Sequence, residues 1–261
     1  MFRGSPFHLV DQSPWPIMAS LCAFFVAGGL IFLMHLKFSS LVFLGCFFLS
    51  LVSFLWWRDV VREASYLGFH MHMVQQGLRI GMLLFIVSEI FFFFGFFWTL
   101  FHSSLVPVME VGGVWPPYYL TVLDPLGVPL LNTVVLLCSG VTVTYSHHSV
   151  IKYNFSGASL GLVFTLGLGA FFTGLQGMEY FESSFNISDS VYGSVFFMAT
   201  GFHGFHVIVG SIFLGVNLLR MLAGQTVGFQ HVGYECAIWY WHFVDVVWIF
   251  LYVSLYWWGS M

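Results

Sequence analysis

Residues 85–98 read FIVSEIFFFFGFFW, an apolar run that holds a single carboxylate, Glu89. The run belongs to a hydrophobic stretch from 80 to 105, longer than the roughly 20 residues that cross a bilayer core of about 30 Å. Six more stretches have the same character: 16–34, 38–57, 127–146, 156–181, 191–219 and 233–258. Seven crossings predict an all-α polytopic membrane protein. The composition agrees, since 59% of the 261 residues are hydrophobic and 7% are charged, against about 25% charged in soluble domains.

Several function classes fall away. A net charge of −4 offers no basic surface for nucleic acid. Cys22, Cys46, Cys138 and Cys236 stand singly in apolar surroundings without metal-binding spacing, as small core residues do. The segment MFRGSPFHLVDQSPWP carries Asp11, Pro14 and Pro16 where the apolar region of a signal peptide would run. It also lacks the Arg-rich, acid-poor character of a transit peptide, so the chain is expected to insert by its own helices.

Three regions organise the chain. Residues 1–57 hold an N-terminal segment and a two-helix hairpin closed by HLK. Residues 58–79, RDVVREASYLGFHMHMVQQGLR, form the most polar connection, and 80–261 hold five further helices. Pro107, Pro116, Pro117, Pro125 and Pro129, with Gly112 and Gly113, mark 107–129 as a loop and not an eighth span. Arg3, Arg58, Arg62, Arg79, Lys152 and Arg220 fall on the N-terminal side of seven crossings, and only Lys37 falls opposite. The positive-inside rule then places the N-terminus inside and the C-terminus outside. Glu110, Asp124, Glu182 and Asp189 fall on the outer side. Gly157, Gly161, Thr165, Gly169, Thr173 and Gly177 recur every four residues in span five, and Gly81, Ser88 and Gly95 every seven in span three. Such small residues let neighbouring backbones approach closely.

Glu89 lies near mid-bilayer, where a charge is costly and burial favours the neutral acid unless a cation is close. A step in a proton pathway and a buried carboxyl that fixes helix packing are both open readings. His203 and His206 lie three apart on span six, and two histidines do not complete a metal site. Polar contacts between helices are their expected role; His147 and His148 are a weaker metal candidate still, at a span end where histidine costs little. His242 and Asp245 can pair with each other in the last span. Trp257 and Trp258, with Tyr252 and Tyr256, suit an interfacial aromatic belt. Arg58, Asp59, Arg62 and Glu63 in WWRDVVRE share a membrane face with Arg79 and Arg220. Guanidinium groups there suit phospholipid head groups.

Several stretches carry a resemblance: SPWP (13–16), WWRDVVRE (56–63), GLRIGMLLFIVSEIFFFFGFFW (77–98), HSSL (102–105), WPP (115–117) and PLLNT (129–133). SHHS (146–149), ISDSVYGSVFFMATGFHGFHVIVGS (187–211) and WYWHFVDVVWIFLYVSLYWWGS (239–260) extend it. The chain resembles, end to end, the subunit III family of haem–copper oxidases, represented by subunit 3 of mitochondrial cytochrome c oxidase.

The resemblance implies seven transmembrane helices, with helices 1 and 2 splayed from a bundle of helices 3–7 around a V-shaped cleft that holds phospholipids. It implies organelle encoding and a multi-pass place in the mitochondrial inner membrane, N-terminus in the matrix and C-terminus in the intermembrane space. No catalytic residue, metal or cofactor is expected in this chain; haem A and copper belong to partner subunits. The partners are subunits 1 and 2 and other subunits of complex IV, and structural phospholipids. The implied role is to stabilise subunit 1 and support proton uptake, and the cleft is proposed as an oxygen path. By position Glu89 matches the family's intramembrane carboxylate, and lipid contact passes to Glu63, His70, Arg79, Trp98 and Arg220, beside the cluster residues Arg58 and Arg62.

The alternative is a proton-coupled membrane transporter that uses Glu89. It predicts more ionisable residues facing one cavity than the spans hold, and no internal repeat supports it. A seven-helix receptor places its N-terminus outside, and its retinal form needs a lysine in the last span, where none stands.

Overall fold

Why the long apolar stretches become helices follows from the bilayer. Without water, every backbone N–H and C=O must be satisfied within its own segment. The computed structural model describes residues 7–109, 112–226 and 231–260; Arg3 and Glu110, counted in the orientation argument, lie outside these. Seven helices follow in order: α1 (Trp15–Leu36), α2 (Ser40–Ser65), α3 (His72–Leu105), α4 (Val128–Ile151), α5 (Phe155–Glu182), α6 (Ser190–Leu222) and α7 (Val232–Leu251). The last helix continues as a π-helical segment, Tyr252–Trp257. All seven are long and apolar enough to cross a membrane, and no strand occurs among the described residues.

The polar connection is shorter than its composition suggests. Residues 58–65 continue α2 and 72–79 open α3, so only 66–71 are non-helical. Charges do not stop a helix that has left the hydrocarbon. Arg58 Nη2 lies 2.9 Å from Asp59 Oδ1, and Arg62 Nη1 lies 3.9 Å from the same oxygen at i, i+3, a spacing that supports helix. The Pro-rich connection from 106 to 127 holds no spanning helix among its described residues, as expected.

The chain divides into two compact units at Leu78 and Arg79. In the first, α1 and α2 meet through reciprocal glycines. A Cβ on Gly29 would stand 2.7 Å from Val42 N, and one on Gly45 2.9 Å from Val26 N. The hairpin turns through Lys37 in a left-handed conformation (φ 55°), whose N–H donates to Leu33 O. Trp15 Nε1 donates to Asp59 Oδ2 at 2.8 Å, which ties the start of α1 to the polar end of α2.

In the second unit α7 is the centre. Inside the chain 67% of its span is buried, against 33% for each of α4, α5 and α6. Lipid tails are as apolar as leucine, so helix association rests on close packing and interhelical hydrogen bonds. Trp241 is completely buried and donates from Nε1 to Ser139 Oγ of α4 at 2.9 Å. Its ring fills the space left by two glycines: a Cβ on Gly169 of α5 would stand 2.8 Å from it, and one on Gly210 of α6 3.1 Å. One turn pair further on, Trp248 Nε1 donates to Thr133 Oγ1 of α4 at 3.0 Å. Tyr234 Oη donates to Ser146 Oγ at 2.7 Å, and that hydroxyl donates in turn to Ala158 O, so one chain of bonds links α7, α4 and α5. Each such bond adds only about 0.6 kcal/mol on average in a membrane, and the bundle depends on their number.

The small-residue series of α5 is used in part. Gly161 packs on Ser146 and Thr142 of α4, Thr165 Oγ1 lies 2.8 Å from Thr142 Oγ1, and Gly169 receives Trp241. Nothing lies within 4 Å of a Cβ on Gly177. Among the described residues of the second unit, the seam expected along α3 does not form. A Cβ on Gly81 or Gly95 meets nothing within 4 Å, and Ser88 Oγ donates to Phe85 O of its own helix. A seven-residue spacing of small residues marks a helix face, and by itself does not say which neighbour uses it.

Candidate functional site

Glu89 sits on α3 and His206 on α6, 117 residues apart in sequence, with Glu89 Oε2 and His206 Nε2 separated by 2.9 Å. The other imidazole nitrogen fixes the chemistry. His206 Nδ1 lies 2.6 Å from Phe202 O, a carbonyl that can only accept, so Nδ1 carries a hydrogen. The bond to Glu89 then contains one proton, either on the carboxyl with neutral imidazole or on Nε2 facing a carboxylate. Both forms have zero net charge, which lowers the penalty of placing an acid in hydrocarbon, most of all in the form with neutral partners. The His206 ring is walled by Phe93 edge-on at 5.1 Å and by Tyr240 stacked at 6.2 Å. Side-chain exposure is 9% for His206 and 21% for Glu89, so the acid lies at the edge of the aromatic shell and the base inside it.

His203, three residues earlier, turns to a different neighbour. It is buried, and its Nε2 lies 3.2 Å from Val244 O of α7, with the ring against Trp248 at 5.1 Å. The two histidines of α6 thus connect to two different helices. His242 Nδ1 and Asp245 Oδ2 stand 3.9 Å apart, close enough for charge interaction but outside hydrogen-bond reach. His242 Nε2 lies 3.5 Å from Thr144 Oγ1, and Asp245 Oδ1 is buried with no hydrogen-bond partner among the described residues. Both line a groove of about 600 Å³ with Gly140, Thr144 and His148.

The residues expected at lipid head groups fall in both units. In the first, Arg58 is held by Asp59 through Nε and Nη2 at 3.0 and 2.9 Å. Glu63 Oε2 faces His8 Nε2 at 3.6 Å, and the His8 ring lies 5.6 Å from that of His70. Arg62 keeps 59% of its side chain exposed. In the second, Arg79 Nε donates to Glu235 Oε2 at 2.8 Å. Trp98 is 64% exposed beside Phe94. Arg220 is half-buried, and its Nε has no hydrogen-bond partner among the described residues.

A buried polar layer in the second unit has no counterpart in the sequence reading. Asn132 Nδ2 donates to Gln176 Oε1 and Gln176 Nε2 to Tyr256 Oη, both at 3.4 Å. Tyr180 Oη lies 2.7 Å from Thr200 Oγ1. Glu179, 4% exposed, lines a small cavity with Asp124 and Glu182. A helical-spacing signal was available: Gln176, Glu179 and Tyr180 lie on one face of α5.

Seven spanning helices, a bundle fastened around α7 and an intramembrane carboxyl–imidazole pair define a polytopic α-helical membrane protein. The family model for cytochrome c oxidase subunit III matches residues 5–260. The chain is 56% identical to cytochrome c oxidase subunit 3 of Danio rerio over 258 residues, 99% of both chains. It is 56% identical to that of Rattus norvegicus over 254 residues, 97% of both, and 54% identical to that of Scyliorhinus canicula over 258 residues, 99% of this chain. The chain belongs to the cytochrome c oxidase subunit III family.

Proposed function

We infer that this chain is a non-redox supporting subunit of cytochrome c oxidase, complex IV, which passes electrons from cytochrome c to oxygen while pumping protons. It lies in the mitochondrial inner membrane with its N-terminus in the matrix, as the distribution of basic residues supports. It stabilises subunit 1, works beside subunit 2 and supports proton uptake. Haem A and copper stay in the partner subunits.

The observation that carries this reading is the Glu89–His206 pair. It holds one proton in a net-neutral bond at the edge of the bundle, which suits a carboxyl that fixes helix geometry and exchanges a proton without burying net charge. The lipid role rests on Arg62, exposed beyond the Arg58–Asp59 pair, and on Arg220, a half-buried guanidinium suited to an anionic head group. Glu63, His70, Arg79 and Trp98 complete that set.

Mass spectrometry of the intact purified complex tests the reading. It should show this chain with subunits 1 and 2 and retained phospholipid. A chain that purifies apart from the oxidase and moves protons alone would favour the transporter reading instead.

A further inference from the structure

Where α4 ends and α7 begins, three side chains converge outside the pair described above. His147 lies in the last turns of α4, His231 immediately precedes α7, and Glu235 follows at i, i+4 in its first turn. His147 Nε2 and His231 Nε2 lie 3.3 Å apart, and His231 Nε2 and Glu235 Oε1 3.5 Å. All three ligand atoms fall within 4.8 Å of one another. We propose that His147, His231 and Glu235 form an exchangeable binding site for a divalent cation of the zinc class.

The spacing is that of a coordination shell. Zinc bound tetrahedrally, with metal–nitrogen distances of about 2.0–2.1 Å and metal–oxygen of about 2.0–2.2 Å, holds its ligand atoms roughly 3.3–3.5 Å apart. The donor set agrees, because imidazole with one carboxylate suits zinc and its first-row neighbours better than magnesium or calcium, which favour oxygen shells. Two imidazole nitrogens that face each other can share only one hydrogen between them, whereas a cation uses both lone pairs.

The surroundings position these ligands. Arg79 Nε holds Glu235 Oε2 at 2.8 Å and leaves Oε1 turned toward the histidines, as outer-shell partners of ligating carboxylates do. The Tyr234 ring packs edge-on to His147 at 6.0 Å, and its hydroxyl is anchored on Ser146. Side-chain exposure of 8% for His231 and 20% for Glu235 leaves a route from water. Three protein ligands leave a fourth position for water. Arg79 offsets the carboxylate charge, so the site suits an ion that comes and goes and not a resident cofactor.

The test uses the purified oxidase complex that contains this chain, stripped of loosely held metal with chelator and then equilibrated with zinc alone. An anomalous difference map at the zinc edge should show a peak about 2.0–2.2 Å from both Nε2 atoms. Metal analysis at fixed free zinc should find one more zinc per complex than in His231→Gln or His147→Gln complexes. Loss of an outer-shell partner alone lowers metal affinity about 10–100-fold, so each variant should bind at this site at least that much more weakly. A map without a peak between the two imidazoles, or equal zinc retention by the wild type and both variants, overturns the proposal. The map is recorded on the unaltered complex and decides the matter even where a variant fails to assemble.

Discussion

His206 Nε2 meets Glu89 Oε2 at 2.9 Å while His206 Nδ1 is held by the carbonyl of Phe202. The second contact gives the first its meaning, because it commits one ring nitrogen as a donor and leaves the other to share a proton with the acid.

Glu89→Gln should preserve the contact and remove the proton chemistry. The amide can donate to Nε2 as the protonated acid would, so the complex should assemble with a thermal stability near wild type. Proton uptake should slow. Unchanged uptake and pumping would remove the proton role, and a marked loss of thermal stability would contradict the claim that the amide keeps the contact.

His206→Ala should be the harsher change. It leaves the carboxyl without its partner, and an unsatisfied buried polar group costs about 1–3 kcal/mol. Thermal inactivation of the complex reads this loss, and Glu89→Gln in the same background should restore little, since the amide also lacks a partner there.

The glycines of α5 separate packing from composition. Gly169→Ala places a methyl 2.8 Å from the Trp241 ring and should destabilise by about 1–3 kcal/mol through overpacking. Gly177→Ala meets nothing within 4 Å and should be neutral or slightly stabilising. Equal melting temperatures for the two complexes would contradict the role assigned to Trp241.

Arg220→Ala should release phospholipid that co-purifies with the complex, as measured by lipid mass spectrometry. An unaltered lipid content would leave Arg220 as an anchor of topology alone.

The seven helices were legible because span length and apolarity are local properties. Their ends were less so: charged residues 58–65 and polar residues 72–79 remain helical once past the hydrocarbon, where composition no longer reports conformation. The partner of Glu89 was not legible, since the pairing of α3 with α6 is a property of the packed bundle. The place of α7 at the centre was equally hidden, although Trp241 and Trp248 stand seven apart on one face and small residues await the first on two other helices. Gly81, Ser88 and Gly95 show the converse, a regular spacing with no seam among the described residues of the second unit.

The most direct measurement of the supporting role is the haem and copper content of the oxidase after selective removal of this chain, taken together with its rate of proton uptake. The account predicts full haem A and copper in the depleted complex, with slower uptake and earlier thermal inactivation. Stoichiometric loss of haem or copper along with the chain would contradict it.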